Sequence, residues 1–540
     1  MNEILLLGAI ILLICIACSG ISQRYGVPAL FIFILIGMLF GSDGLVKIPF
    51  ESFAIAEKLC SSALIIIIFY GGFGTNWKAG KPVVGKAVVL STLGVLVTAV
   101  LTGLFCIYVL KMDVLEGFLI GAIISSTDAA TVFSILRSKK LNLRYNTASL
   151  LEIESGSNDP CSYMLTVLVL SLMGSAQKYS FGYLLFAQVV YGISFGVFFA
   201  FATLWMYKKL KYLAEGLDTI FILAAVVMAY ALPTILGGNG YLSVYLMGII
   251  LGNQNIKNKI TLVHFFDGIT GLAQILIFFL LGLLSFPSQL PKVLLPSIAI
   301  FLFITFIARP FAVAAFLTPV KASLKQQGVI NVGGLRGAAS IVFAILAVSS
   351  DISVVNDIFH IVFCIVLLSM AVQGTFLPIA SRKFDMVDDA TNVLKTFNDY
   401  QEETKLQFVK LTITSGHVWE NCKVSELRLP IDMRISMLLR ENKTIIPNGD
   451  SELINGDVVI LCAPEFDEGD GTSLEEEYLG TNHAWVNKKI SDLNLPSDTL
   501  IILIKRGDET VVPNGETILK EDDILVINTL IDIKVGLASC

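Results

Sequence analysis

Two short strings, Ser125-Ser126-Thr127-Asp128 and Glu154-Ser155-Gly156-Ser157-Asn158-Asp159-Pro160, set three carboxylates inside stretches otherwise apolar enough to lie in a bilayer. An ionisable group near the middle of a membrane helix costs about 2.5 to 3.5 kcal/mol on an insertion scale, and such groups line proton or substrate paths. A buried ion pair is the structural alternative. Arg309 and Arg336 lie in comparable apolar surroundings and can pair with two of the acids, which leaves at least one to titrate or to bind a cation. Hard alkali cations take oxygen ligands, and the side chains around these acids are rich in oxygen. On a helix Ser155 and Asp159 are i,i+4 neighbours, while Glu154 and Asn158 form a second such pair turned away from them. Pro160 has no N–H, so the Gly156 carbonyl loses its helical partner and becomes either a further oxygen ligand or the site of a kink.

A carboxylate that holds a proton or a cation, but never both, makes an exchanger by competition alone. Asp159 is assigned this role and the alkali cation, with Asp128, Ser155 and the carbonyl of Thr127 as helpers. Glu154 is expected to pair with Arg336, since a buried charge left without its partner is strongly destabilising. Arg309, before Pro310, is expected to bias the potential of the empty site. Glu152 is expected near enough to the cytoplasmic end of its helix to be solvated.

The elements that position these residues follow from composition. The chain has 540 residues, of which 55% are hydrophobic and 15% charged, too apolar for a soluble protein of this size. Up to about Arg382 it alternates apolar runs with short polar turns; beyond Phe384 no run reaches the roughly 18 to 20 residues needed to span. Residues 1–383 carry 24 Lys and Arg against 15 Asp and Glu, and residues 384–540 carry 14 against 29. So acidic a tail argues against nucleic acid as a partner. The nine cysteines show no zinc-type spacing and no paired framework. The start, with Glu3 and no basic residue before the first apolar run, reads as a first span rather than a signal peptide.

Counting apolar runs gives about 13 spans, among them 115–137, 148–173 and 324–350. On that count 17 basic residues collect on one side and 5 on the other, which places the C-terminus in the cytoplasm. Asp128 and Asp159 then lie at one level, about 13 to 17 Å deep, on adjacent antiparallel spans. An odd count also allows two halves, spans 1–6 and 8–13, related by an offset of seven that inverts the second. Such repeats place ion sites where broken helices of the two halves meet. The run Asn331-Val332-Gly333-Gly334-Leu335-Arg336-Gly337 interrupts the second half as Gly121 and Ser125–Asp128 interrupt the first.

These motifs resemble the NhaP-type antiporters of the monovalent cation:proton antiporter-1 family. In that family a Thr-Asp on one broken helix faces an Asn-Asp on the next, as Thr127-Asp128 and Asn158-Asp159 would here. The strings around Asp128 and Asp159, together with Ala308-Arg309-Pro310 and Gly334-Leu335-Arg336-Gly337-Ala338, look most like its bacterial potassium/proton branch. The resemblance implies a homodimer in the lipid bilayer, an elevator-like core and electroneutral exchange, with Asn158 standing in for the second Asp of electrogenic relatives. Two departures stand out: Ala129 follows Thr-Asp where many members have Pro, and Tyr70 precedes Gly71-Gly72 where many have an acid.

The tail repeats itself at an offset of 66: His417/His483, Trp419/Trp485, Leu429-Pro430/Leu495-Pro496, Pro447-Asn448-Gly449/Pro513-Asn514-Gly515 and Asp457/Asp523. Its alternating runs read as strands joined by tight turns. The two modules resemble TrkA-C lobes of potassium-conductance regulators, without a glycine-rich dinucleotide loop. That resemblance suggests cyclic di-AMP as a regulatory ligand, received at Ile446-Pro447 and Val512-Pro513; a purely structural dimer clamp is the alternative. The two histidines read as packing residues rather than metal ligands.

The expected architecture is an all-α polytopic membrane domain of about 13 helices, with inverted repeats and broken helices, followed by small α+β cytoplasmic lobes. Its expected divisions are an exchanger domain at 1–383, a linker at 384–404, a first lobe at 405–466, an acidic linker at 467–474 and a second lobe at 475–540. The expected function is exchange of K+ or Na+ for H+, transport rather than catalysis, with no cofactor. A potassium channel gated by such lobes is the rival, and the missing Thr-Val-Gly-Tyr-Gly filter counts against it.

Overall fold

Lipid offers no hydrogen-bond partner, so each apolar run closes its backbone bonds within itself and the chain becomes a series of helices. The computed structural model of the chain describes residues 2–388 and 406–530, apart from 26–28, 140, 175–179, 210–215, 255, 257, 351, 353, 428, 431–432, 441–442, 465–471, 481–482, 494, 496–498 and 508. Pro496, and most of the 384–404 and 467–474 linkers, therefore lie outside the described residues. Contacts divide the chain into two compact units, Met1–Gln401 and Glu402–Cys540.

In chain order the helices of the first unit are α1 (Asn2–Tyr25), α2 (Ala29–Phe40), α3 (Phe53–Gly74), α4 (Trp77–Gly80), α5 (Val84–Val89), α6 (Val95–Tyr108), α7 (Val114–Ile124), α8 (Ala129–Ser138), α9 (Thr147–Met173), α10 (Phe181–Lys209), α11 (Leu217–Ile235), α12 (Gly240–Gly252), α13 (Lys259–Leu284), α14 (Leu290–Phe303), α15 (Arg309–Leu317), α16 (Leu324–Val332), α17 (Ala338–Ser349) and α18 (Ile358–Lys383). Among the described residues seven helical stretches are long and apolar enough to cross a membrane, against about 13 expected spans. Most of the other runs form short helices such as α2 and α12, or helices broken at polar residues. The unbroken α9 is 27 residues long, but its Glu152-to-Asp159 stretch makes it too polar to join the seven.

One pattern of elements occurs twice. A π-helical turn, Leu90–Gly94, joins α5 to α6; the broken pair α7/α8 and the long α9 follow. A second π-helical turn, Ile304–Ala308, joins α14 to α15; the broken pair α16/α17 and the long α18 follow. Local insertions of this kind mark functional regions of helices, and their recurrence is the repeat that the two glycine-interrupted spans suggested. Elsewhere small residues bring backbones together: a Cβ on Gly37 of α2 would lie 2.8 Å from the Cα of Gly282 on α13, and one on Gly248 of α12 would meet the Phe69 carbonyl oxygen at 2.5 Å. Close approach through small residues is how helices associate without a hydrophobic driving force.

The second unit is built from two four-stranded antiparallel sheets. The strands are β1 (Leu406–Thr412), β2 (Arg434–Arg440), β3 (Lys443–Ile445) and β4 (Val458–Pro464), then β5 (Thr472–Tyr478), β6 (Thr499–Arg506), β7 (Glu509–Val511) and β8 (Ile524–Leu530). Both sheets have the same order, β1-β4-β2-β3 and β5-β8-β6-β7. Even the register shifts correspond, at Ile435/Met437 and Ile501/Leu503. Helix content in the described tail is limited to 3-10 turns, Val424–Glu426 and Ile490–Asp492. β5 begins at Thr472, inside the stretch expected as an acidic linker, and carries Glu475, Glu476 and Glu477 of the expected second lobe, paired with Ile527, Val526 and Leu525 of β8. An edge strand tolerates charge on its open side and is protected by it from pairing with other chains.

In each lobe a buried aspartate is clamped by arginine from the neighbouring strand. Arg440 Nε and Nη2 donate to Asp457 at 2.8 and 2.7 Å, and Arg506 does the same to Asp523 at 2.7 and 2.7 Å. The same arginines reach a carbonyl, of Glu452 in one lobe and Ile518 in the other. Burial alone would raise these carboxyls; the arginine bonds and a backbone amide outweigh it and hold both below the ordinary aspartate value.

Candidate cation and proton site

The site forms where the two broken helices cross. α7 stops at Ile124 and α8 begins at Ala129; α16 stops at Val332 and α17 begins at Ala338. The amide of Asp128 donates to the Leu335 carbonyl at 2.8 Å, stitching one break to the other. Gly337 permits the crossing, because a Cβ there would fall on the Asp128 side chain.

Ending a helix inside a membrane leaves carbonyls without donors. Arg336 supplies them: its Nη1 donates to the Ile124 carbonyl at 2.6 Å and the Ser126 carbonyl at 2.9 Å. Ser125 and Ser162 hydroxyls both donate to Ala122 O, at 2.7 and 2.6 Å. A guanidinium at a helix C-terminus also meets the negative end of the helix dipole. At the other side of the break Asp128 sits before α8 and accepts from the Thr131 amide, at 3.4 Å, and from its hydroxyl.

This arrangement corrects the expected ion pair. Glu154 pairs with Arg309, 2.5 Å away, with both side chains buried. Arg336 is occupied by the carbonyls, because an interrupted helix end needs donors that only a long, forked cation can bring to two oxygens at once. Arg309 is thus engaged with Glu154 rather than left to act on the empty site. Glu152, expected to be solvated, is only 3% exposed, on a helix, α9, that packs against α5, α7 and α12.

The unbroken α9 presents the remaining groups to the break. Ser155 Oγ lies 2.8 Å from Thr127 Oγ1, Asn158 Nδ2 donates to the same Thr127 oxygen at 2.5 Å, and Asn158 Oδ1 accepts from the Thr127 amide at 3.2 Å. Asn158 therefore faces the break, not away from it. Asp159 accepts a hydrogen bond from Ser126 and keeps partial exposure. No lysine or arginine pairs with it among the described residues. Thr127, Asp128, Ser155, Asn158 and Asp159 are thus brought together. Ser126 and Thr131 were not foreseen: an unwound stretch has no period that tells that Ser126 turns inward, and Thr131 bonds back to Asp128 from the first turn of α8.

A further intramembrane acid escaped the reading of the sequence. Asp267 on α13 accepts from the Tyr70 hydroxyl at 3.0 Å; a charge four places into the run beginning at 263 was the available signal. In the tail, Ile446 and Val512, equivalent at the offset of 66, are 86% and 79% exposed just after β3 and β7. His417 and His483 each accept a backbone amide, from Trp419 and Trp485, and stand edge-on to those indoles.

Residues 9–383 match the family described as "Sodium/hydrogen exchanger, transmembrane", and residues 474–530 match the TrkA-C domain. The chain is 32% identical over 470 residues to the K(+)/H(+) antiporter NhaP2 of Shewanella sp. (strain MR-4), covering 86% of this chain and 82% of that one. It is 38% identical over 382 residues to the K(+)/H(+) antiporter NhaP of Alkalimonas amylolytica, covering 70% and 66%. The solved sodium proton antiporter MjNhaP1 from Methanocaldococcus jannaschii at pH 8 superposes with a TM-score of 0.63 at 24% identity, over 71% of this chain and 99% of that one.

Proposed function

The chain belongs to the sodium/hydrogen exchanger family, and as a cation/proton antiporter of that family we propose that it exchanges K+ for H+ by competition at Asp159. The observation that carries this reading is the division of labour around the break. Glu154 is matched by Arg309, Arg336 serves backbone carbonyls, and Asp159 meets a hydroxyl but, among the described residues, no basic side chain.

A carboxylate removed from bulk water needs a counter-charge, and a proton or an alkali cation supplies it equally well in charge. Ser126 and Asp159 offer oxygens, and the carbonyls of the break add more. Because Asn158 is neutral, one acid exchanges one positive charge for another, which makes the cycle electroneutral. Ser155 and Asn158 both bond to Thr127 and hold the break in register with α9. Asp128 caps α8 and keeps a second negative charge near the site. Alternating access then requires the broken helices and α9 to move as a body against the scaffold in a homodimer, in a bacterial inner membrane with the tail in the cytoplasm.

K+ is favoured over Na+ because the K(+)/H(+) antiporters are the relatives of higher identity and because the tail carries a TrkA-C match. The lobes regulate exchange by binding a small ligand, cyclic di-AMP being the candidate, at the exposed Ile446-Pro447 and Val512-Pro513 turns. Exchange in everted vesicles, assayed in K+, Na+ and Li+ with and without the nucleotide, tests this. K+-dependent dissipation of a pH gradient that the nucleotide modulates is expected; a flux at fixed voltage without proton movement would favour a channel instead.

A further inference from the structure

α12 runs antiparallel to α9 and touches it on both sides of Asp159. On one side Tyr163, a turn beyond Asp159, stands edge-on to Tyr241 with centroids 4.9 Å apart, and Tyr241 is further enclosed by Tyr230 and Phe343. Asn239, before α12, donates to the Pro160 carbonyl at 2.8 Å. On the other side Gly156, three residues before Asp159, faces Tyr245. A Cβ at Gly156 would lie 2.7 Å from Tyr245 Cε2 and 2.9 Å from its hydroxyl oxygen, so only glycine admits the ring.

Tyr245 differs from its neighbours on this seam. Its side chain is 2% exposed, yet its hydroxyl is buried with no hydrogen-bond partner. Ser157 and Thr75 come near it but neither closes a hydrogen bond with it, and Thr75 donates its own hydroxyl hydrogen to the Gly71 carbonyl. Glu152 and Asp159 both lie within electrostatic reach. Buried hydroxyls without partners are rare because each forfeits its hydration. One that persists beside an ion site, between two acids, is explained by a partner that comes and goes.

We propose that the Tyr245 hydroxyl is an oxygen ligand for the alkali cation on its way between the Glu152 side of the seam and Asp159. The scaffold helix α12 thereby contributes to a path otherwise built from the broken helices and α9. This inference rests on Asp159 being the exchange site.

The test uses the full chain in everted vesicles, titrating K+ at fixed pH for wild type, Y245F, G156A and the Y245F/G156A double variant, with D159N alongside. Y245F keeps the ring and is expected to raise half-saturating K+ about threefold to tenfold, the scale of one lost neutral hydrogen-bonding group, while maximal rate is retained. G156A displaces the ring and is expected to raise it similarly, with no further rise in the double variant. Half-saturation at the wild-type value in Y245F, or a fall in maximal rate alone, would overturn the proposal. Should Y245F fail to fold, G156A decides by the same criterion. Exchange that survives in D159N defeats the underlying reading whatever Tyr245 does; a silent D159N beside an unaltered Y245F defeats only the role of Tyr245.

Discussion

Glu154 and Asp159 lie five residues apart on one helix and meet opposite fates. Glu154 is neutralised by Arg309; Asp159 meets Ser126. Replacing either member of the buried pair leaves the other charge uncompensated, so Glu154→Gln or Arg309→Met is expected to cost about 3 to 5 kcal/mol of stability, read as a lower unfolding temperature in detergent. The Glu154→Leu/Arg309→Met double variant should recover part of that loss. Equal melting of all these variants would show the pair to be inert. That apolar stretches carrying Asp128, Glu154 and Asp159 are the place to look for an ion site is legible from the cost of burying acids. Which arginine meets which acid is not, because Arg309 and Arg336 look alike until the end of α7 is seen to need donors for Ile124 and Ser126.

The crossing of two interrupted helices depends on backbone proximity at Gly337. Gly337→Ala places a methyl on the Asp128 side chain and is expected to abolish exchange in protein that still reaches the membrane; wild-type exchange would mean the breaks separate during the cycle. The breaks themselves were readable from Gly333-Gly334 and from the polar run at Ser125. The π-helical turns were not, since Leu90–Gly94 with Ser91 and Thr92, and Ile304–Ala308 with Thr305, lie inside continuous apolar runs where an inserted residue leaves no mark on composition. The start of β5 at Thr472, three residues ahead of the expected lobe, was hidden for a related reason: a charged edge strand that follows an acidic stretch shows no change of composition where pairing begins.

In the lobes the lowered Asp457 and Asp523 carboxyls give stability that is full at neutral pH. It is lost as pH falls below the unfolded aspartate value of about 3.9 towards the lower folded one. Arg440→Met should destabilise the first lobe at pH 7 and flatten that acid dependence, followed by Trp419 fluorescence with the other tryptophans replaced. A wild-type acid profile in this variant would show that Asp457 draws nothing from the clamp.

For the whole molecule, membership in an exchanger family assigns transport to the first unit, and under the proposed function the duplicated tail supplies control. The 66-residue echo foretold the twin sheets, because turn residues and strand alternation repeat together; that Ile446 and Val512 stand exposed is something no periodicity singles out. Removing residues 402–540 is expected to leave K+/H+ exchange in place and to abolish its response to nucleotide. Loss of folded protein on truncation would identify the lobes as a clamp. The most direct measurement is K+-driven proton movement in everted vesicles carrying Asp159→Asn at wild-type expression. The pH gradient should stay undisturbed by K+ in that variant; coupled counter-transport persisting without the carboxylate would contradict competition at Asp159.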